Sequence, residues 1–252
     1  MGRSVLTLRL FAVLLLVSLW NATKAAAPDP VADAVNDPTR LEADRTRDAR
    51  DHSAQVLTFF GVAPGMIVVD LFAGGGYYSE LIGRIVGSGG KVYLHNNAAY
   101  QAFIGDALTA RINGGRLQNV VPLNAEIGAL GIAPASVDLV LMSMSYHDLY
   151  FKADDWSVDP AALFADVRAM LKPGGVLAVI DHAAAPGSAS NVAQTLHRIE
   201  ESFARTDIES RGFEFTGAID VLRNPADDYT KTVFDPAVRG HTDRFVDRFV
   251  RK

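Results

Sequence analysis

An α/β fold with a doubly wound sheet is predicted by three observations. Five apolar runs of strand length recur between residues 66 and 182, helical patterns alternate with them, and the first run passes through a glycine cluster into a helix. That first run, Met66 to Phe72, is continuously apolar apart from Asp70, as a strand buried on both faces should be. Pro64-Gly65 marks its start, and Gly74-Gly75-Gly76 separate it from Tyr77 to Val86, whose apolar residues fall at helical spacing. Glycine at a strand-to-helix turn lets the chain bend tightly and leaves room for a ligand against the backbone, while the following helix offers free N–H groups. The turn therefore has the outline of a nucleotide-cofactor site.

The remaining elements follow in order. Residues 28–40 are rich in Pro, Asp and Ala without periodicity and read as an exposed linker, so the folded domain is expected over 41–252. Leu41 to Gly61 begins charged and ends apolar, which predicts one or two helices with Val56, Leu57, Phe59 and Phe60 toward a core. The alternating charges from Arg45 to Asp51, with His52, read as a solvated face. Lys91 to Asn96 is the second strand, Ala98 to Asn113 its helix, Val120 to Asn124 the third strand and Val137 to Met144 the fourth. Pro160 to Leu171 is a helix opened by proline, Gly175 to His182 the fifth strand, and Asn191 to Arg211 a long amphipathic helix stopping before Gly212. Phe213 to Leu222 and Thr242 to Arg251 carry alternating patterns and supply two more strands.

The first 27 residues follow another pattern. Arg3 and Arg9, the apolar run Leu10 to Trp20, and Ala25-Ala26-Ala27-Pro28 are the three parts of a secretory signal peptide. The run is well short of the roughly 20 residues that span a bilayer. Cleavage after Ala27, with Ala25 as second choice, and a periplasmic or secreted protein with no stable membrane insertion are therefore expected. Among 252 residues there is no cysteine, which excludes disulfides and thiolate metal sites. A net charge of −5 without clustered Lys and Arg argues against nucleic acid as a partner, and a hydrophobic share of 49% is ample for a sizeable core.

The segment Asp70-Leu71-Phe72-Ala73-Gly74-Gly75-Gly76-Tyr77 resembles the first motif of class I S-adenosylmethionine-dependent methyltransferases, D/E-x-G-x-G-x-G. Asp70, Gly74 and Gly76 match it, and Phe72 stands where the motif has its first glycine. Ala133 to Leu141 is similar to the family's fourth strand and Leu171 to Leu177 to its turn into the fifth, so three motifs fall in family order over residues 56–180. The remainder, ending in Arg223-Asn224-Pro225-Ala226-Asp227-Asp228, is similar to an exported branch of predicted methyltransferases. The resemblance implies a Rossmann-like doubly wound sheet of seven strands with an antiparallel last strand, S-adenosyl-L-methionine as cofactor and a small-molecule substrate.

Ligands of open parallel sheets bind outside the carboxyl ends of the strands. That rule and the resemblance point to Asp70, Phe72, Gly74 and Gly76 after strand one, Asn96 after strand two, Asn124 and Ala125 after strand three, and Ser143 after strand four as cofactor-binding residues. Asn96 stands where the family commonly grips both ribose hydroxyls with an acid, and Asn124 where it has an acid near the adenine amine. An amide in place of the acid loses a charge-assisted pair, about 1–2 kcal/mol. Tyr146, His147 and Asp148 stand where a methyl acceptor would meet the sulfonium, and they are the candidate catalytic residues. His147 titrates near neutrality and would act as general base with Asp148 orienting it; its other reading is a cap of the next turn. His182, after Asp181, can face the same crevice, but these histidines and acids lack local ligand spacing and no metal site is expected.

Two functions remain open at this stage: a methyltransferase acting on a small molecule, and an exported non-catalytic binding protein that retains the fold. The leader and the amide at Asn96 favour the second. A dehydrogenase is disfavoured by Ser79 where a dinucleotide turn needs a third glycine, and a hydrolase by the absence of G-x-S-x-G.

Overall fold

Valine, isoleucine and leucine fill the strands of one sheet in the computed structural model, which describes Met1, Gly2, residues 28–115 and residues 117–252. The strands are β1 (Ile67–Leu71), β2 (Lys91–Asn96), β3 (Val120–Asn124), β4 (Val137–Ser143), β5 (Leu171–His182), β6 (Phe213–Ala218) and β7 (Arg244–Arg251). Their order is β3-β2-β1-β4-β5-β7-β6. β7 runs antiparallel to both of its neighbours, and the pairs from β3 to β5 are parallel. This is the seven-stranded, doubly wound sheet with an antiparallel last strand that the sequence predicts.

The two-residue period of the strands divides the core into two layers. Val68 of β1, Leu139 and Leu141 of β4, and Ala178 and Ile180 of β5 pack with Val56, Leu57, Leu81 and Ile82 on one face. Val69 and Leu71, Val140 and Met142, and Leu177 and Val179 pack with Leu163, Phe164 and Val167 on the other. The first face is covered by α3 (Ser53–Phe60) and α4 (Tyr77–Val86), and the second by α7 (Pro160–Met170). The helix α7 starts as its sequence suggests, with Pro160 in the first turn and the Asp159 side chain accepting from Ala161 N–H at 2.9 Å.

Four sequence readings need correction. Residues 28–40, read as an exposed linker, contain α1 (Pro30–Asn36), capped by Asp29 and burying Val31 and Ala34. Two turns of helix, seven residues, are too short to show a period. The charged stretch read as a solvated face is α2 (Glu42–Asp51), whose Asp44, Asp48 and Asp51 are buried against Arg111, Arg40 and Arg244. The helix expected from Ala98 to Asn113 is broken by Gly105 in a left-handed conformation into α5 (Ala98–Ile104) and α6 (Ala107–Ile112). The long helix expected from Asn191 to Arg211 is two, α8 (Ala193–Leu196) and α9 (Glu201–Ser210). His197 turns left-handed between them and Ile199 bridges Ala183 beyond the end of β5.

The leader and cleavage site expected within residues 1–27 lie outside the described residues, save Met1 and Gly2. Among the described residues no helix is long and apolar enough to cross a membrane.

Candidate active site

The strand order reverses between β1 and β4, so the crevice lies where their carboxyl ends diverge. Register places Leu71 beside Met142 and Ser143 beside Ile180, bringing the turns after β1, β4 and β5 to one edge. The glycine turn after β1 is held by Asn96 at the end of β2. Asn96 Oδ1 accepts from Gly74 N–H at 2.9 Å, and its Nδ2 donates to the Gly74 carbonyl at 3.0 Å. Gly74 and Gly76 take positive φ, 57° and 77°, and a Cβ on Gly76 would lie 2.6 Å from Leu94 Cδ1. Glycine is therefore favoured at position 76 by its conformation, and any side chain there would have to displace the end of Leu94.

Phe72 also has positive φ, 52°, and is buried. Its ring lies 5.1–5.2 Å from those of His95, Tyr100 and Trp156, so an aromatic cluster fills space that a glycine would leave empty. His95 is itself fixed: Nδ1 receives the Phe72 N–H at 3.3 Å and Nε2 lies 2.9 Å from the Ala125 carbonyl oxygen. Asp70 is buried and accepts from the Ser79 hydroxyl at 2.6 Å. Burial pushes its carboxyl up to about 7, and the Ser79 hydrogen bonds oppose that shift only in part.

Two adjoining cavities open along this edge. The larger, of about 860 Å³, is walled by Phe72, Gly74, Gly75, Ser143 and Met144 and also by Arg47, Arg50 and Arg244. The smaller, of about 350 Å³, is mostly apolar and includes His147, Asp148, Phe151, Trp156 and His197. Tyr100, Phe103, Met144, His182, Val233 and Phe234 belong to both walls. Of the residues expected to hold a cofactor, Phe72, Gly74 and Ser143 line the larger cavity. The Ser143 hydroxyl is buried with no hydrogen-bond partner among the described residues.

The others are placed differently. Asn96 is buried with both ends of its amide on Gly74, so it does not stand free as a ribose ligand. Asp70 is sealed beneath the turn, and Gly76 meets Leu94 and Arg111. Asn124, exposed at the end of an edge strand, and Ala125, whose carbonyl faces His95, are absent from both walls.

The acceptor-side residues sit on the short 3₁₀ turn His147–Tyr150 after β4. Asp181, at the end of β5, takes His147 N–H on Oδ2 and His147 Nδ1 on Oδ1, each at 2.7 Å. His147 Nε2 lies 3.2 Å from Asp148 Oδ1, and Tyr100 donates its hydroxyl to Asp148 Oδ2 at 2.7 Å. Burial alone would lower the His147 imidazole, but Asp181 and Asp148 outweigh it and raise its pKa to about 10. His147 is thus an imidazolium at neutral pH with a carboxylate at each nitrogen. A ring held protonated by two carboxylates is poorly suited to the general-base role expected of it. The expected pairing is corrected too, because Asp181 orients His147 while Asp148 faces its other nitrogen. Tyr146 points away, its hydroxyl donating to Asp207 at 2.7 Å, and it is not on either wall. His182 is the neutral imidazole of the crevice: burial and the adjacent His147 cation hold its pKa well below the usual histidine range. Its Nδ1 lies 2.7 Å from Thr242 Oγ1.

The strand order and both chambers invite comparison with solved structures. An S-adenosylmethionine-dependent methyltransferase from Aquifex aeolicus superposes with a TM-score of 0.58 at 20% identity, over 89% of this chain and 94% of that one. The fold is that of class I S-adenosylmethionine-dependent methyltransferases. Geranyl diphosphate C-methyltransferase from Streptomyces coelicolor A3(2), in complex with Mg2+, geranyl-S-thiolodiphosphate and S-adenosyl-L-homocysteine, gives 0.57 at 17% identity over 87% and 84% of the two chains. The [4+2]-cyclase SpnF gives 0.55 at 14% identity over 83% and 81%. No protein-family model matches the sequence, and no curated protein aligns with it significantly.

Sequence reasoning missed several residues of the crevice. Tyr100 and Phe103 arrive from α5, His197 from the left-handed turn after α8, and Phe234 from the loop between β6 and β7. Asp181 carried a signal, an acid ending an apolar strand just as Asp70 does, and that signal would have found it.

Proposed function

We propose that this protein is an S-adenosylmethionine-dependent methyltransferase acting on a small molecule. The observation that carries the reading is the pair of adjoining chambers at the strand switch, one floored by the Gly74-Gly75 turn and the other lined by aromatic and acceptor-side groups. Bound there, the cofactor would supply an electrophilic methyl group on its sulfonium. The residues present suit it in two respects: Gly74 and Gly75 belong to the wall of the larger chamber, and so does Ser143, whose buried hydroxyl has no hydrogen-bond partner among the described residues. Arg47 and Arg50, which line the same chamber and also pair with Asp51, suit the carboxylate of its amino-acid end.

The chain's own contribution is to hold and orient. Met144, in a left-handed conformation at φ 55°, turns the chain between the two chambers, and its N–H is tied to the Ile180 carbonyl at 2.6 Å. Phe151, Trp156 and Phe234 give the smaller chamber apolar walls, which exclude water and fit an acceptor no larger than a few rings. His182 replaces His147 as the group able to accept a hydrogen bond from the acceptor, since burial and the His147 cation keep it unprotonated and it belongs to both walls. The signal-peptide pattern of residues 1–27 supports work in the periplasm or outside the cell.

Calorimetric titration of the purified protein with S-adenosylmethionine and S-adenosylhomocysteine tests the reading. Dissociation constants on the order of micromolar, weakened in Ser143→Val, support it. No binding up to ligand concentrations on the order of millimolar contradicts it.

A further inference from the structure

His147, Asp148 and His197 converge from two separate segments, and their placement goes beyond methyl transfer. Asp148 Oδ1 is 3.2 Å from His147 Nε2 and 3.5 Å from His197 Nδ1. One ligand atom from each of the three residues fits within 4.8 Å of the others. Metal bonds of about 2.0–2.1 Å at tetrahedral angles set neighbouring ligand atoms about 3.3–3.4 Å apart, which is the spacing around Asp148 Oδ1. We propose that His147 Nε2, Asp148 Oδ1 and His197 Nδ1 form a three-ligand site for a divalent transition metal of the zinc type in the wall of the smaller chamber, the metal displacing to solvent the proton that His147 Nε2 carries in its absence.

The surroundings of the three ligands support a built site. Asp181 binds both the N–H and the Nδ1 of His147 at 2.7 Å, which fixes the ring with Nε2 toward Asp148. A carboxylate on the distal nitrogen is the usual support of a metal-binding histidine. Tyr100 takes up Asp148 Oδ2, leaving Oδ1 for the site, and Trp156 Nε1 donates to the Asp148 carbonyl at 2.7 Å. His197 is wedged between Phe151 and Phe234, with ring centroids 4.5 and 4.9 Å away. Two imidazoles and a carboxylate suit zinc or iron(II) in ligand chemistry, and three protein ligands leave a coordination position open to the chamber. An internal ion pair of His147 with its two aspartates would explain Asp148 and Asp181, but it leaves the approach of His197 to the same oxygen unexplained.

The test is zinc titration of chelator-stripped full-length protein against a competing chelator, with Co2+ as a visible-absorption probe of the ligand field. The expected result is one equivalent of zinc and a tetrahedral cobalt spectrum, with affinity lowered at least about 100-fold in His197→Ala and Asp148→Asn, and about 10–100-fold in Asp181→Asn. His52→Ala and His241→Ala, which alter exposed histidines elsewhere, should bind as the unmodified protein does. Circular dichroism establishes that each variant is folded, and His197, on a loop and partly exposed, is the safest of them. Zinc binding no tighter than that of the His147→Ala/His197→Ala double variant, or binding lost equally in His241→Ala, overturns the proposal.

Discussion

Asn96 grips Gly74 at both backbone groups, accepting its N–H at 2.9 Å and donating to its carbonyl at 3.0 Å. The residue at the end of β2 therefore shapes the glycine turn, and the acid the family commonly has there would not be interchangeable with it. An aspartate has no N–H for the Gly74 carbonyl and sets a carboxylate against a carbonyl in a buried place. Asn96→Asp is expected to cost about 1–3 kcal/mol in urea denaturation, without tightening S-adenosylhomocysteine binding. Unchanged stability together with tighter binding would show that the side chain reaches the ligand.

Phe72 presents a related choice between two magnitudes. Replacing it with glycine restores the family motif and relieves a left-handed non-glycine residue, worth about 1–2 kcal/mol. It also deletes a buried ring packed against His95, Tyr100 and Trp156, a loss of about 3–5 kcal/mol on truncation. The second effect wins, so Phe72→Gly should destabilise by about 1–4 kcal/mol, read from chemical denaturation.

Asp70 ties stability to pH. Its folded pKa, about 7, lies above the ordinary aspartate value of 3.8, so the folded chain holds this proton more tightly than the unfolded chain. The stabilisation from the protonated carboxyl is complete below about pH 4 and is lost as pH rises through 7. Asp70→Asn should remove that dependence. Relative to the unmodified protein it should gain stability at pH 8 compared with pH 5, by up to about 3 kcal/mol, the part of the effect that falls between pH 5 and the folded pKa. Urea midpoints at the two pH values measure it, and parallel profiles would contradict the assignment.

Arg198 and Asp227 form a buried pair, 2.8 and 3.1 Å apart at two contacts, both side chains fully covered. Arg198 also donates to the Ala183 and Lys231 carbonyls, each at 2.9 Å. The pair thus ties the end of β5 to the loop that carries Val233 and Phe234 onto both chambers. Arg198→Met should cost about 3–5 kcal/mol by leaving Asp227 buried without its partner. The double variant Arg198→Met/Asp227→Leu should cost less than the sum of the single changes, as a denaturation cycle would show.

The sheet was legible because Met66 to Phe72, Val137 to Met144 and Gly175 to His182 are long apolar runs between glycine or proline signals. Their placement follows from burial on two faces, which leaves little freedom to sequence. The helices were less legible where a single residue breaks a periodic run: Gly105 and His197 interrupt patterns that continue on either side. The aspartates of α2 looked solvated because their arginine partners, Arg40, Arg111 and Arg244, come from distant parts of the chain. The same reason hid half of the site. Strand-end logic reaches Gly74, Ser143, His147 and Asp148, whereas Tyr100, His197 and Phe234 sit on loops and short helices whose approach is decided by tertiary packing.

The most direct test of the account is a crystal structure of the protein with S-adenosylhomocysteine. The account predicts the ligand in the larger chamber, against the Gly74-Gly75 backbone and the Ser143 hydroxyl, with its sulfur toward the wall shared by Met144 and His182. Ligand bound elsewhere, or Asn96 released from Gly74 to hold the ribose, would contradict it.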